Sequence, residues 1–423
     1  MTVCAIEKAT EDGAVRRNPF AITADGTYAA RLALARGGAD AWFAERWTLD
    51  GHEPYAVPLP LDQPEEPDTD VVPLADGRVL VRRRVADRHD FSLLYPTGPG
   101  TGQLPLGSLA YGEGQDAGEL TVLPPSPDGR RVHALRAGVR TTTVWQVAGG
   151  TSGPERVAEV AGHCSGGVWL DRTGRFLALD RERDGVVKAV AVDLERGGEV
   201  TELLRITEES NDRLVLADPD SGLLLIRSDA AGHDRLGWGV WGSERPVRFP
   251  DCLRLADCAV TPFAVQPGQV LMPESCAVAL RIDGAAGSWL GVWRPAGRRL
   301  HQRAAPEGWL AGAGVWTPDG GLRLPYATAA VPCGVARLTA PADVPRAPGS
   351  GPRPGSASGS GPWSGPGTGP RSGQLSGPPS APVTEPAQAE RSDGEPSGAS
   401  GTPVMCRPVP LQQAPLTGRG APG

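Results

Sequence analysis

The stretch SPDGRRVHALRA, residues 126–137, decides the fold of this chain. Its first four residues are a turn signal, because Pro127 presets φ, Asp128 bonds back to the backbone and Gly129 supplies a positive φ. The residues after the turn alternate between two faces, which is typical of a half-buried β-strand. We therefore take a turn followed by a strand as the structural unit of the chain.

This turn-and-strand unit recurs seven times in the first 340 residues. The copies are marked by the glycines Gly26, Gly77, Gly129, Gly174, Gly222, Gly268 and Gly320. Successive markers are separated by 45 to 52 residues. A repeat of this length fits one four-stranded antiparallel blade of a β-propeller.

The rest of each unit is also strand-like. A polar turn leads to a third strand rich in aromatic or β-branched residues, as in residues 142–147 (TTVWQV), 188–194 (KAVAVDL) and 237–241 (GWGVW). Because no amphipathic helix separates these runs, the sequence predicts an all-β, seven-bladed β-propeller over residues 1–340. The last unit is one strand short, and we expect residues 2–8 (TVCAIEK) to supply its outer strand and close the ring.

The composition changes near residue 340. Residues 347–403 consist mainly of Gly, Ser and Pro with isolated charges. Such a segment cannot bury enough apolar surface to offset the conformational entropy of ordering it. The sequence therefore predicts a disordered, low-complexity Pro/Gly/Ser-rich tail at residues 341–423, with local polyproline II character.

Charge, cysteine content and hydropathy argue against several classes of protein. The formal net charge is −7, which argues against a protein that binds nucleic acid through its phosphates. The seven cysteines are odd in number and form no CxxC motif, so neither a disulfide framework nor a zinc ribbon is indicated. With no secretory h-region at the start and no long apolar run, we expect a cytoplasmic protein without a membrane span.

The turn motifs resemble a known kind of repeat. Residues 126–132 (SPDGRRV) and 317–320 (TPDG) are similar to the SPDG-type, WD40-like repeat of TolB and of the N-terminal propellers of prolyl oligopeptidases. The resemblance covers residues 2–340 and implies a propeller fold. It does not carry a function over, because the chain has no export signal and no GxSxG elbow of a hydrolase domain.

Two His–Asp pairs are the candidate binding residues. His89-Asp90 in the second unit and His233-Asp234 in the fifth are expected in the turn between the second and third strands. By resemblance to other propellers, that turn opens on the face where ligands bind. A His–Asp pair could position a proton or orient a metal ligand. Turns on nearly opposite blades should lie more than about 15 Å apart, so we predict no shared metal. The sequence shows neither a cofactor signature nor a catalytic constellation, so we also predict no cofactor and no catalytic residue.

Three hypotheses for the function remain open. The first is a monomeric, non-enzymatic propeller scaffold that binds a protein or peptide partner on one face, with no nucleic-acid or membrane partner. The first alternative is a small-molecule or carbohydrate-processing enzyme with its site at the mouth of the central channel. The other is a separate propeller subunit that caps a hydrolase encoded elsewhere.

Overall fold

The computed structural model describes residues 20–35, 41–112, 118–151, 153–268 and 271–341. Within these ranges the chain forms β-strands and three short 3-10 turns, and it contains no α-helix. The tail predicted at residues 341–423 lies outside the described residues except for Pro341. Residues 2–8, predicted to close the ring, also lie outside them. Both expectations therefore stay predictions.

The first three groups of strands are antiparallel sheets of four, which we call blades 1 to 3. Their strands are β1 (Phe20–Ile22), β2 (Tyr28–Leu34), β3 (Trp42–Thr48), β4 (Tyr55–Leu59), β5 (Asp70–Pro73), β6 (Val79–Val85), β7 (Arg88–Pro96), β8 (Thr101–Ala110), β9 (Leu120–Val122), β10 (Val132–Ala137), β11 (Thr141–Ala148) and β12 (Glu155–Ala161).

Four further groups follow in the described part of the chain, with four, three, four and three strands in blades 4 to 7. Their strands are β13 (His163–Trp169), β14 (Phe176–Arg183), β15 (Val186–Asp193), β16 (Glu199–Glu202), β17 (Asp212–Ala217), β18 (Leu223–Ser228), β19 (Arg235–Val240), β20 (Ala259–Val265), β21 (Val278–Gly284), β22 (Gly287–Trp293), β23 (His301–Arg303), β24 (Val315–Trp316), β25 (Gly321–Tyr326) and β26 (Gly334–Thr339). A single parallel bridge between Lys188 and Asp212 joins blades 4 and 5.

The hydrophobic core is divided among the interfaces between consecutive blades. Each of seven apolar clusters takes residues from two neighbouring blades, represented by Ala30 and Val79, Phe91 and Val132, Leu135 and Leu177, Ala178 and Leu224, Leu225 and Val278, Ala279 and Leu322, and Trp47 and Val335. The last pair joins blade 7 to blade 1, so side-chain packing completes a ring. The predicted all-β propeller fold is confirmed.

Six of the seven marker glycines have the conformation that the turn motif requires. Their φ angles lie between +66° and +85°, in the left-handed region that disfavours other residues. At Gly26 a Cβ atom would also lie 3.1 Å from a methyl group of Val315 in blade 7. The marker glycine therefore permits both the turn and the close approach of the neighbouring blade.

The prediction for the sixth marker was wrong. Gly268 is not left-handed, and its N–H donates to Asp218 Oδ2 of blade 5 at 3.0 Å. The residues after it include a 3-10 turn at Pro273–Ser275, and the second strand of blade 6 begins only at Val278. Gly268 thus makes a contact between blades and does not start a hairpin.

No helix in the described ranges is long and apolar enough to cross a membrane.

Candidate binding groove between blades 5 and 6

Blade 5 has an irregular segment where blades 1 to 4 have a fourth strand. After β19 the chain turns back, and Trp238 and Arg248 exchange two backbone hydrogen bonds of 2.9 and 3.0 Å. Two residues later Pro250 has no N–H with which to continue the ladder. The chain leaves the sheet at this point and enters the 3-10 turn Asp251–Leu253.

This early exit leaves an open groove beside blade 6. The groove has a volume of about 640 Å³, within the range of clefts that hold ligands. Its walls come from both blades and are formed by Trp238, Arg248, Phe249, Pro250, Asp251, Cys252, Glu274, Pro295, Ala296, Gly297 and Arg298. Aromatic, proline and charged side chains therefore meet in one concave surface, which we call the groove.

Two aromatic side chains and one arginine form one wall of the groove. Trp238 is only 5% exposed, and the guanidinium of Arg248 lies over its ring at 5.2 Å from the centroid. Phe249 lies against the backbone of Gly237, where a Cβ atom would come within 2.8 Å of the phenyl ring. The absence of a side chain at Gly237 thus lets the aromatic wall close onto β19.

The charges of the groove are unequally paired. Asp251 forms an ion pair with Arg235 at 2.7 Å, and Glu274 lies 3.6 Å from Arg245. Arg248 and Arg298 are both exposed, and neither has an ion-pair partner among the residues that the structure describes. The two acidic side chains of the groove are therefore already paired with arginines outside it, and two guanidinium groups are left to face solvent.

One thiol also lines the groove. Cys252 is half-buried and free. Burial raises the pKa of the Cys252 thiol above its ordinary value. Because the thiolate is the reactive form, Cys252 is a slow nucleophile at neutral pH and serves as part of the wall.

The first predicted pair, His89 and Asp90, is not in a turn. Both residues belong to β7, because the connection to β6 consists only of Ala86 and Asp87. His89 is buried, with its ring 4.7 Å from that of Tyr111. The predicted position in an open turn was therefore wrong for this pair.

The second predicted pair, His233 and Asp234, lies in an exposed turn before β19, as predicted. Asp234 accepts a hydrogen bond from Arg227 at 2.6 Å. The two pairs belong to blades 2 and 5. In the described ranges, no three His, Cys, Asp or Glu side chains are grouped so that they could hold a metal ion.

Sequence analysis missed a buried carboxyl group where blades 4 and 5 meet. Asp180 is 8% exposed, and its Oδ1 accepts a hydrogen bond from the N–H of Leu214 at 3.0 Å. Burial raises the pKa of Asp180 to about 6, against the opposing effects of Leu214 and of Arg213 at 3.8 Å. The glycine pair at 166–167, where β13 bulges beside this carboxyl group, was the available signal.

A buried imidazole was missed as well. His133 is 1% exposed and its ring lies edge-on to Trp169, with centroids 5.1 Å apart. Burial, with the nearby charge of Arg131, lowers the pKa of His133 to about 4. Its Nδ1 has no hydrogen-bond partner in the described part of the chain. His133 is therefore neutral at physiological pH and packs as an aromatic residue between blades 3 and 4.

The groove itself was also missed by sequence analysis. Its available signal was the segment at residues 294–303 (RPAGRRLHQR), which carries four arginines and no acidic residue. A second signal was Pro250, because proline has no N–H to donate to a sheet ladder. These two segments are far apart in the chain, so the sequence does not show that they meet.

Solved structures similar to this chain include propeller proteins. The puromycin-hydrolysing peptidase of Mycobacterium tuberculosis is 16% identical, with 76% of this chain and 50% of the peptidase covered and a TM-score of 0.47. TolB from Acinetobacter baumannii is 10% identical, with 74% and 75% covered and a TM-score of 0.39. The β-propeller domain of the Trilobed protease from Pyrococcus furiosus is 13% identical, with 74% and 92% covered and a TM-score of 0.46.

The chain is thus similar to TolB and to a protease propeller, as its turn motifs predicted. It spans about half the length of the mycobacterial peptidase. No family model and no curated protein matches the chain. Structural similarity at identities this low says nothing about function, which has to be argued from the site.

Proposed function

We propose that this chain is a non-enzymatic propeller that binds a protein or peptide partner, and that a segment of the partner lies in the groove between blades 5 and 6. The observation that supports this proposal is the groove itself, with about 640 Å³ of space beside Phe249 and the Arg248 guanidinium over the Trp238 ring. Buried aromatic and arginine side chains are the residues that most often dominate the energy of protein interfaces.

The innermost strands give less support to an enzyme at the channel mouth. Their partly exposed side chains are mainly small or apolar, as at Ala21, Val71, Thr121, Val215 and Val315. Acid–base chemistry needs titratable groups that converge on one substrate position. This pattern favours binding over catalysis, and nothing in the described residues favours the alternative of a hydrolase cap.

The test is to fill the groove without disturbing the fold. Ala296 is exposed in the groove, and an Ala296→Trp variant should occupy part of its volume. Ala286 is exposed in the turn between β21 and β22 of the same blade, so Ala286→Trp is the matched control. Both variants should unfold at the temperature of the wild-type protein, because each adds a side chain on the surface.

Full-length wild-type and variant proteins would then be used as baits in crosslinked lysate of the source organism. We expect a stoichiometric protein partner that is captured by wild type and by Ala286→Trp, and is lost with Ala296→Trp. Equal capture by all three baits would refute the groove as the binding surface. Turnover of a small molecule by the purified wild-type protein would instead favour the enzyme.

A further inference from the structure

We infer that the segment held in the groove is acidic: an extended peptide whose Asp or Glu carboxylates pair with Arg248 and Arg298. This inference rests on the proposed function and specifies the chemistry of its partner. The two arginines lie in the same groove on different segments of the chain. A peptide that contacts both must therefore cross from blade 5 to blade 6.

The pairing of charges in the groove supports this inference. The carboxylate of Asp251 is held by Arg235 at 2.7 Å, and Glu274 has Arg245 at 3.6 Å. A basic peptide would have to compete with these arginines for both acidic side chains. An acidic peptide would meet a guanidinium group that has no competing carboxylate among the described residues.

Arg248 is prepared for this contact by its position. Its guanidinium lies over the Trp238 ring, 5.2 Å from the centroid, and its backbone is fixed by two hydrogen bonds to that residue. Stacking on an aromatic ring leaves the N–H groups at the edge of the guanidinium free to form two parallel hydrogen bonds with one carboxylate. A pre-positioned side chain also loses less rotamer entropy on binding than a mobile one.

The segment that contributes Arg298 to the groove differs in charge from the whole chain. Residues 294–303 carry four arginines and no acidic residue, whereas the formal net charge of the chain is −7. Arginines concentrated in one segment favour the approach of an anionic partner to that part of an otherwise acidic protein. A long nucleic acid would need a basic surface well beyond the groove, so the observations favour a peptide.

The direct test uses a short fluorescein-labelled polyglutamate peptide and fluorescence polarisation with the full-length protein. We expect binding that weakens as salt is added, because the guanidinium groups are exposed. Arg298→Glu and Arg248→Glu should each weaken binding about tenfold, the scale expected for reversal of one close charge pair. Arg140→Glu, an exposed reversal in blade 3, is the control and should bind like wild type.

A double variant makes the test independent of the strength of any single contact. The variant that carries both Arg248→Glu and Arg298→Glu should no longer bind polyglutamate and should bind a polylysine peptide of the same length. Arg248→Lys keeps the charge but can neither stack on Trp238 in the same way nor donate two parallel hydrogen bonds, so it should weaken polyglutamate binding less than Arg248→Glu does. Thermal unfolding of each variant would confirm that the ring stays folded.

The inference and the proposed function can fail separately. Suppose that polyglutamate does not bind and that the captured partner is lost with Ala296→Trp. That result would refute an acidic bound segment and still support the groove as the binding surface. No binding together with unchanged capture would overturn both. Tighter binding of a single-stranded RNA oligomer than of polyglutamate, lost in the same reversals, would show a nucleic-acid partner and also overturn the inference.

Discussion

Blades 2 and 5 both carry a His–Asp pair in the sequence, and their structures differ in one respect that decides where a ligand could bind. In blade 2 the third strand, β7, pairs along its whole length with β8. In blade 5 the corresponding strand, β19, has one bridge on its outer side, between Trp238 and Arg248. A completed ladder covers the blade, and an interrupted ladder leaves a groove.

The polar side chains of the two blades differ in the same way. In blade 2, Arg82 is 0% exposed and its Nε donates to Asp70 Oδ2 at 2.8 Å, with His89 Nδ1 3.5 Å from its Nη1. In blade 5, Arg248 is exposed over Trp238. The same residue type is therefore structural in one blade and available to a partner in the other. The presence of a charged or titratable motif alone does not distinguish the two cases.

The largest expected effect is the loss of the buried guanidinium in blade 2. Arg82→Met would remove the main ion-pair partner of Asp70, which is largely buried. Removing one member of a buried pair costs about 3–5 kcal/mol, and we expect a decrease of this size in the free energy of unfolding. Arg248→Met should change it by less than about 1 kcal/mol. Urea unfolding of both variants measures the two changes in the free energy of unfolding. Equal changes in Arg82→Met and Arg248→Met would contradict the distinction between a structural and an exposed arginine.

A smaller effect of opposite sign is expected in blade 4, where Asp180 contacts blade 5. The folded-state pKa of Asp180 is raised to about 6 from 3.8, so wild type loses stability as the pH rises from about 4 to 6. Asp180→Asn removes this penalty and can still accept from Leu214 N–H. It should therefore raise the free energy of unfolding at pH 7 by about 1–3 kcal/mol.

The pH profile of this variant provides its own control. The pKa of His133 is lowered to about 4, so burial of this neutral imidazole lowers the free energy of unfolding as the pH falls from about 6.5 to 4. The effect of Asp180 has the opposite dependence on pH. The difference between wild type and Asp180→Asn cancels this contribution. The stabilisation should be full at pH 7 and absent at pH 3.5. A difference that does not vary with pH would contradict the assigned cause.

A still smaller effect is expected at the wall of the groove. In Gly237→Ala the new Cβ would lie 2.8 Å from the Phe249 ring and would push it into the groove. We expect a loss of about 1 kcal/mol in stability and weaker partner binding. In Gly239→Ala the nearest atoms are 3.6 and 3.7 Å away, which is ordinary contact. Gly239→Ala should therefore capture the partner as well as wild type does in the same experiment. An equal loss of partner capture in both glycine variants would contradict the role of Phe249 in the wall of the groove.

The fold was predictable because its signals are local. A turn that needs φ > 0 selects glycine, and six marker glycines have that conformation. The prediction for the sixth unit was wrong because Gly268 donates a hydrogen bond to Asp218 of the preceding blade, and no local sequence pattern shows this contact. His89 was misplaced because the tight turn uses Ala86 at φ +47°, where a glycine would have been expected.

The candidate groove could not be predicted from local patterns. It depends on Pro250 ending one ladder and on an arginine-rich segment that begins more than forty residues later. Their proximity is a property of the packing between blades 5 and 6. The burial of Asp180 has the same origin, because its hydrogen bond to Leu214 crosses from blade 4 to blade 5.

The most direct test of the groove as the binding surface is the rate at which Cys252 is alkylated by iodoacetamide in the full-length protein, with and without the captured partner. The reaction should be followed by mass spectrometry at pH 8.5, because burial raises the pKa of this thiol. Cys258, also half-buried in blade 6 but not part of the groove, is the internal reference. Bound partner should slow the alkylation of Cys252 at least tenfold while that of Cys258 is unchanged, a protection of about 1.4 kcal/mol or more. Equal rates at Cys252 with and without partner would contradict the account.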